Sequence, residues 1–245
     1  DLTVPDKDGY VWNFSKPECR KKAWAKVTKL KPFLLIGSPP FTAFSILQNL
    51  QRAQPGGDAT VDSLLEKANI HIEFCIELYA YQMRQGWYFL HEHPQSAGSW
   101  KLPEVQALMS DLNISKTNTE MCRFGMKRED DIGVGLVKQP TGFLTNSEHV
   151  KEQMSKKGMG GNRHMQLMSG RARACQVYPE MLAKAILRGI KQELKHSGIL
   201  AMVYLDLLVA SADEVDMYDY DGHFVDDMSG QVLNTQLVIE AMKEE

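Results

Sequence analysis

The sequence predicts an α/β domain in which helices flank a mostly parallel sheet. Two apolar runs, Lys31–Gly37 and Trp87–Leu90, stop abruptly at proline-containing segments, as buried strands do. Between them, apolar residues recur at helical spacing from Leu64 to Met83. A strand, a helix and a second strand in this order form a βαβ unit, whose strands are expected to be parallel and joined by a right-handed crossover.

The first half of the chain continues this alternation of strands and helices. The first strand leads into the loop Gly37–Phe41, where two prolines interrupt regular structure. A Pro-Gly-Gly turn at residues 54–58 precedes the long helix. The second strand is expected to stop at His91–Pro94. A helix at Leu102–Leu112 and a strand at Thr117–Phe124 follow.

The second half of the chain is less regular. Residues 125–175 are rich in Gly, Lys, Arg and Met and show weak periodicity, which predicts an irregular insert. Tyr178–Glu180 begins a strong helix, because proline at the first helical position and an acid beside it both favour a helix start. From residue 211 the chain is acidic and poor in aliphatic residues, which predicts a linker and a short terminal helix. The predicted boundaries are 1–122 for the core, 123–175 for the basic insert, 176–210 for the returning helices and 211–245 for the acidic C-terminal tail.

Composition limits the class of protein. The 245 residues are 43% hydrophobic and 24% charged, which is sufficient for one large globular core. Four cysteines stand singly, so neither a disulfide scaffold nor a zinc ribbon is expected. No apolar stretch reaches the roughly 20 residues of a membrane span, and no signal-peptide pattern opens the chain. We therefore expect an intracellular protein, in the cytoplasm or the nucleus, without a membrane partner. Because the sequence begins with Asp1 rather than with methionine, we expect it to be a piece of a longer protein.

Charge is unevenly distributed along the chain, although the net charge is only −3. Residues 123–173 hold ten Lys or Arg against five Asp or Glu, whereas residues 213–227 hold seven acids and no Lys or Arg. The basic segment is suited to phosphates, so DNA or RNA is the expected partner, and an ordinary solvated basic surface is the alternative. The candidate donors to phosphates or base edges are Arg163, His164, Arg171 and Arg173.

The loop after the first strand carries groups that are suited to holding a base. Pro39 and Pro40 make the turn rigid and leave carbonyl groups that no helix uses. Ser38 and the Pro39 carbonyl are candidates to hold an exocyclic amine, while Phe41 stacks on a base outside its duplex. The alternative is a proline-stiffened turn with Phe41 in the core.

Glu92 lies between two histidines after an apolar strand. It is a candidate to accept from the amino group of a pyrimidine or, when protonated, to donate to a ring nitrogen. A capping carboxylate between surface histidines is the alternative. A zinc site at His91 and His93 lacks a third ligand at a recognisable spacing, so no metal is predicted. Because ligands bind beyond the carboxyl ends of parallel strands, we expect the segments 37–41 and 91–94 to line one cleft.

Several segments resemble motifs of cytosine-5 DNA methyltransferases. Ile36–Ser45 resembles their Pro-Cys loop, and His91–Pro94 resembles their Glu-Asn motif. Ala174–Ile190 resembles their closing motif, and Lys138–Asn146 looks like a Lys-Pro-Thr segment of divergent, phage-like members. The whole chain also resembles a methyltransferase-like segment of copia-type retrotransposon polyproteins, in which a tail similar to Val225–Glu245 leads into a reverse transcriptase.

The resemblance implies a truncated Rossmann-like methyltransferase core with S-adenosylmethionine as cofactor. Asp1 and Gly37 would belong to the cofactor site and Ser45 to the nucleic-acid contact, and the glycine-containing loop that holds the cofactor in the family would precede Asp1. In the family a cysteine thiolate adds to carbon 6 of the base, but Phe41 occupies the matching position and cannot form this adduct. The segment Ser38–Phe41 also resembles the motif of amino-methyltransferases, which attack with the exocyclic nitrogen of the base and need no cysteine.

Three functions therefore remain open. The leading expectation is a methyltransferase-like domain of a retroelement polyprotein, catalytically degenerate because of Phe41 and retaining affinity for nucleic acid. The first alternative is an active S-adenosylmethionine-dependent amino-methyltransferase on a DNA or RNA base, acting through Ser38, Pro39, Pro40 and Phe41 with assistance from Glu92. The second alternative is a non-enzymatic interaction module.

Overall fold

The structure is a computed structural model that describes residues 9, 12–44, 57–130, 133–155, 164–165 and 178–199. The chain divides into two compact units, residues 1–190 and 191–245. In the second unit the described residues are 191–199, the end of a helix and a turn. The predicted acidic tail and several predicted site residues lie outside the described residues, namely Asp1, Ser45, Arg163, Arg171 and Arg173.

Five α-helices and seven strands lie in the described part of the chain. The helices are α1 (Pro17–Leu30), α2 (Gly57–Arg84), α3 (Pro103–Met109), α4 (Glu148–Ser155) and α5 (Glu180–His196). The strands are β1 (Leu34–Gly37), β2 (Tyr88–Pro94), β3 (Ser115–Glu120), β4 (Lys127–Asp130), β5 (Gly133–Val137), β6 (Pro140–Thr145) and β7 (His164–Met165). None of these helices is both long and apolar enough to cross a membrane.

Local chemistry explains where the long helix and its neighbours begin and end. Helix α1 starts with proline at its first position, where the missing N–H costs no helical hydrogen bond. Helix α2 ends just before Gly86, which has φ 73°, a left-handed conformation that glycine adopts without strain. Helix α4 begins after Ser147, whose hydroxyl accepts a hydrogen bond from Val150 N at 3.0 Å and so caps the helix.

The central sheet has four strands in the order β1-β2-β6-β3. β1 and β2 are parallel, with Leu34 paired to Tyr88, so the predicted βαβ unit is present. β6 lies between β2 and β3 and runs antiparallel to both. One of the three neighbouring pairs is therefore parallel, and the prediction of a mostly parallel sheet is wrong. β1, β2 and β3 nevertheless run in one direction, so their carboxyl ends share one side of the sheet, which we call the carboxyl edge.

Strand β2 is longer than predicted. It continues through His91, Glu92 and His93 to Pro94 instead of stopping at Leu90. The reason is that both neighbouring strands continue the pairing: Gly37 of β1 is in register with His91, and Thr141 of β6 with Pro94. The polar residues that were expected to form a loop are therefore central residues of a buried strand.

The segment predicted to be an irregular insert contains regular elements. Residues 125–175 include β4, β5, β6 and α4. β4, β5 and β7 form a separate three-stranded sheet, whereas β6 belongs to the central sheet. The helix predicted at Leu102–Leu112 spans Pro103–Met109, and the strand predicted at Thr117–Phe124 spans Ser115–Glu120, followed by a 3₁₀ turn at Met121–Phe124.

Successive side chains of a strand point to opposite faces of the sheet, and helices cover both faces of the central sheet. One face, which we call the α2 face, packs Phe89 and Leu144 with side chains of α2 and with Trp100. The other, the α4–α5 face, packs Leu90 and Phe143 with side chains of α4 and α5. A third cluster joins α1 to α2 through Trp12, Ala23, Phe74 and Leu78.

Candidate functional site

The carboxyl edge brings the loop after β1 against the end of β2. Ser38 Oγ donates to Glu92 Oε2 at 2.6 Å. His93 Nε2 lies 2.8 Å from the Pro39 carbonyl oxygen. Two hydrogen bonds therefore join the two segments that the sequence indicated. Glu92 is in register with Phe143 and faces the α4–α5 side, so the flanking histidines face the α2 side.

Glu92 is the centre of a buried cluster of oxygen atoms. Tyr178 OH donates to the same Oε2 atom at 2.8 Å, so two hydroxyls share one carboxyl oxygen. Among the described residues, none donates to Oε1. Burial raises the pKa of Glu92, and the hydrogen bonds from Ser38 and Tyr178 oppose this shift. The carboxyl group can therefore hold a proton more readily than a surface glutamate does.

The two histidines beside Glu92 are buried rather than on the surface. His91 is 3% exposed and His93 is fully buried, so the alternative of a capping carboxylate between surface histidines is wrong. His91 Nδ1 is 3.0 Å from Tyr79 OH. Burial lowers the pKa of His91 well below its ordinary value, and His93 and Lys116 lower it further. Both rings are therefore neutral at neutral pH.

His93 holds the proline loop in place. A carbonyl oxygen only accepts, so Nε2 carries the proton and donates to Pro39, which leaves Nδ1 to accept from the Ser99 hydroxyl at 2.5 Å. Burial lowers the pKa of His93 to about 4, and the hydrogen bond to Pro39 opposes that shift. The ring thus links the end of β2 to the loop after β1 on the α2 face.

A cavity of about 510 Å³ opens at the carboxyl edge. Its walls come from three segments: the loop after β1, the turn after β2 and the approach to β6. The residues that line it are Phe41, Pro94, Gln95, Ser96, Lys138, Gln139 and Pro140. Phe41 is 37% exposed, so the alternative that places its ring in the core is wrong.

The expected single cleft is divided in the structure. Ser38 and Glu92 do not line the cavity at Phe41, because their contacts lie on the α4–α5 face with Tyr178. The groups expected to hold an exocyclic amine already have protein partners: Ser38 donates to Glu92, and the Pro39 carbonyl accepts from His93. Pro40 lies between these contacts and Phe41, and no described interaction assigns it a separate role.

Gly37, which the resemblance assigns to the cofactor, has a packing explanation. A Cβ atom at Gly37 would overlap the Tyr79 hydroxyl and lie 2.9 Å from Tyr79 Cζ. The missing side chain therefore makes room for a buried tyrosine. Tyr79 occupies the space beside Gly37, and Asp1 lies outside the described residues.

Two lysines of the basic segment form ion pairs with acidic side chains. Lys138 Nζ is 3.0 Å from Glu120 Oε1, and Lys151 Nζ is 2.8 Å from Glu148 Oε1. The backbone of His164 lies in β7. In the described ranges, no group of three or more His, Cys, Asp or Glu side chains is placed to hold a metal ion.

Sequence reasoning missed three residues that matter at the carboxyl edge. Tyr178 was assigned to a helix start and to the segment that resembles the closing motif, with no role at the site, yet it donates to Glu92, 86 positions earlier in the chain. Gln139 and Lys138 fell in the predicted irregular insert, yet both line the cavity beside Phe41. The motifs that contain these residues do not indicate their contacts, because each residue reaches the site through the position of β6 or α5. The other polar residues of the Lys138–Asn146 segment are structural: Asn146 Oδ1 accepts from Phe89 N at 2.9 Å and its Nδ2 donates to the Trp87 carbonyl at 3.0 Å.

Comparison of this chain with family models, with curated proteins and with solved structures finds no match.

Proposed function

We propose that this chain is a methyltransferase-like α/β domain that binds nucleic acid and does not transfer methyl groups. The observation that carries this proposal is the place of Phe41. Its partly exposed ring lines a cavity at the carboxyl edge, at the position where the resemblance expects a cysteine. An exposed aromatic ring can stack on an unpaired base, but it cannot form the covalent adduct of the cytosine-5 enzymes.

The direction of the strands supports a truncated Rossmann-like core. β1, β2 and β3 run the same way, and helices cover both faces of their sheet. Doubly wound folds can carry an antiparallel strand in their sheet, and open α/β sheets bind ligands beyond the carboxyl ends of their strands. The cavity lies at that edge.

No described cysteine can replace the missing nucleophile. None of the residues that line the cavity is a cysteine. Cys19 and Cys122 are buried elsewhere. Burial raises the pKa of Cys75 to about 12, so its reactive thiolate is scarce at neutral pH. These observations on the described cysteines support a chain that does not use the covalent route.

The amino-methyltransferase alternative is less well supported. It requires Ser38 and the Pro39 carbonyl to receive the amine of a base, but both groups are engaged by Glu92 and His93. It also requires Glu92 to act beside Phe41, and Glu92 is not among the residues that line the cavity.

The test is a methyl-transfer assay combined with a binding assay on the full chain. With labelled S-adenosylmethionine and single-stranded or duplex DNA or RNA, we expect no incorporation of label. We expect single-stranded oligonucleotides to bind, with an affinity that falls as salt rises. Phe41→Ala should weaken binding by about 5-fold to 150-fold, the range expected for one stacked base. Leu112→Ala is the matched control, because Leu112 is fully exposed at the amino end of β3.

Methyl transfer by the unmodified chain would refute the proposal. An oligonucleotide affinity that changes neither with salt concentration nor with the Phe41→Ala substitution would also refute it. A covalent complex between Phe41→Cys and a mechanism-based cytosine analogue would support descent from the cytosine-5 enzymes.

The proposed place in a retroelement polyprotein rests on the sequence resemblance alone. It is tested by reading the coding sequence after Glu245 in the parent transcript. A reverse transcriptase in the same frame is the expected result, and an unrelated reading frame would count against it.

A further inference from the structure

We infer that Arg123 and Arg188 together bind one backbone phosphate of a nucleic acid, at the same edge of the central sheet as the cavity beside Phe41. The inference rests on the proposed function, because it names the residues that hold the backbone of the same ligand. We call Arg123 and Arg188 the arginine pair. Arg188 lies in α5, outside the basic segment at residues 123–173, and no sequence motif indicated that the two residues lie near each other.

Packing brings the two arginines together from elements that are distant in sequence. Arg123 belongs to the 3₁₀ turn at Met121–Phe124, which packs on α5 in one hydrophobic cluster. Gly125, which follows the turn with φ 77°, lies against α5, since a Cβ atom built on it would be 3.3 Å from Met181 Sδ. Arg188 follows Met181 by seven residues, which is about two turns of helix, so both lie on the same face of α5. That face is directed toward the 3₁₀ turn.

The charges of the arginine pair act on each other. Burial lowers the pKa of Arg123, and the positive charge of Arg188 lowers it further. Arg123 is half-buried, with its Cζ atom 5.3 Å from the centroid of the Phe124 ring, whereas Arg188 is exposed. A guanidinium at this distance from an aromatic ring is attracted to it, so the Arg123 side chain is held in place although a second positive charge lies nearby.

No acidic side chain neutralises the arginine pair in the described part of the chain. The ion pairs found there include neither arginine. Lys184, one turn before Arg188 on α5, differs in this respect, because its Nζ is 2.9 Å from Glu180 Oε1. Two positive charges without an anion between them repel each other, so an anion that binds to both is favoured.

A phosphate group matches the donors that the arginine pair offers. Guanidinium N–H groups form a planar fork that can bind two phosphate oxygens at once. Arg123 Nη1 is enclosed by the protein and no described residue accepts from it, so we assign the contacts to the remaining N–H groups of Arg123 and to the exposed Arg188. One phosphate can accept from both side chains, because each of its unesterified oxygens can accept more than one hydrogen bond.

The arginine pair and the cavity beside Phe41 lie at the same edge of the sheet. The 3₁₀ turn directly follows the carboxyl end of β3, and Met121 N donates to the Gln139 carbonyl oxygen at 3.1 Å. Gln139 in turn lines the cavity. A nucleic-acid strand whose base stacks on Phe41 can therefore continue toward Arg123 and Arg188, where a phosphate contact fixes the backbone without reading the sequence.

The experiment measures the binding of fluorescent single-stranded oligonucleotides to the full chain by anisotropy, over a series of salt concentrations. Arg188→Gln should weaken the binding of oligo-dT, oligo-dC and oligo-dA by the same factor, about 10-fold, because a phosphate contact is charge-assisted and carries no sequence information. In the double variant that also carries Arg123→Gln, the slope of log K against log salt should become less negative by about 0.7, the contribution of one phosphate of a single strand.

Arg84→Gln is the matched control. It removes the same charge from an exposed arginine at the end of α2, just before β2 begins and therefore at the opposite edge of the sheet. It should change neither the affinity nor the slope.

Thermal stability separates a ligand site from a structural role for Arg188. Without ligand, Arg188→Gln should raise the melting temperature, because it removes the repulsion within the arginine pair. A residue that stabilises the fold would give a lower melting temperature on substitution, and that result would overturn the inference. Arg188→Lys keeps the charge but not the planar fork, so its affinity should lie between those of the unmodified chain and Arg188→Gln.

Three binding results would also overturn the inference: an affinity that is unchanged in the double variant, a loss no larger than that of Arg84→Gln, and inorganic phosphate that binds as tightly as the oligonucleotide. Displacement of the oligonucleotide by polyglutamate at a lower concentration of charge would overturn it in favour of an acidic protein partner. Oligonucleotide binding that depends on Phe41 and on salt, but not on the arginine pair, would uphold the proposed function alone. Binding that depends on the arginine pair, by a chain that transfers methyl groups, would uphold this inference and refute the proposed function.

Discussion

A methyl group at Gly37 is expected to destabilise the protein, because the space that it would enter is filled by Tyr79. The added Cβ atom would overlap the Tyr79 hydroxyl and lie 2.9 Å from Cζ and 3.3 Å from Cε1. Tyr79 is buried and stacks on Phe89 with 4.4 Å between ring centroids. Its hydroxyl is 3.0 Å from His91 Nδ1. The ring cannot move aside without losing contacts on both sides.

The size of the effect follows from these contacts. Inserting a methyl group into a packed core costs about 1–3 kcal/mol. Losing the hydrogen bond between Tyr79 and His91 adds about 1 kcal/mol. We therefore expect Gly37→Ala to lower the free energy of unfolding by about 2–4 kcal/mol. In a chain of this size the melting temperature should fall by about 4–16 °C.

The assay is urea denaturation followed by circular dichroism. It compares four proteins: the unmodified chain, Gly37→Ala, Tyr79→Phe and the double variant that carries both substitutions. Removing the Tyr79 hydroxyl removes the worst overlap, so Gly37→Ala should cost at least about 1 kcal/mol less in the Tyr79→Phe background. An equal cost in both backgrounds, or a Gly37→Ala variant as stable as the unmodified chain, would refute the packing explanation of this glycine.

Three further predictions concern charge and helix packing. Because the pKa of Glu92 is raised in the folded state, the folded chain binds more protons than the unfolded chain, and stability falls as pH rises above about 4. The stability of Glu92→Gln relative to the unmodified chain should therefore increase from pH 4 to pH 7. A difference in stability that stays constant over this range would contradict the prediction. The pKa of His93 is lowered to about 4 in the folded chain, from about 6.5 in the unfolded chain. As pH falls from about 6.5 to about 4, the unmodified chain should therefore lose up to about 3 kcal/mol of stability. The His93→Asn variant, which has no imidazole at this position, should not show this loss. In α5, a Cβ at Gly189 would lie 2.7 Å from Val150 Cα, so the overpacking cost of Gly189→Ala, about 1–3 kcal/mol, should exceed the helix propensity gain of about 1 kcal/mol and lower stability by up to about 2 kcal/mol. The exposed substitution Ala183→Gly in the same helix measures the propensity difference separately.

The elements that were predicted well are those with a strong local pattern. The apolar run before Gly37 became β1, and the helical spacing from Leu64 to Met83 became the central part of α2. The helix start predicted at Tyr178–Glu180 was also found, with Glu180 as the first helical residue, because proline and an acid mark it without help from the rest of the fold. Helix α1 was missed, although Pro17 at its first position is the same kind of signal.

The elements that were predicted poorly depend on partners far along the chain. Polar His91 and His93 are poor candidates for a buried strand by pattern alone, and they are tolerated there because Tyr79, Ser99 and the Pro39 carbonyl satisfy their ring nitrogens. β6 carries weak periodicity because it is buried on both faces between β2 and β3.

By itself, the sequence determined the βαβ unit and the rigid proline loop that ends in Phe41, since patterns within short segments mark both. Only the tertiary structure decided that Tyr178 reaches Glu92 and that Gln139 and Lys138 stand beside Phe41. The insertion of an antiparallel β6 into the sheet brings together residues almost 100 positions apart. Such pairing is stabilised by burial and hydrogen bonds summed over the whole core, so no local pattern of residues encodes it.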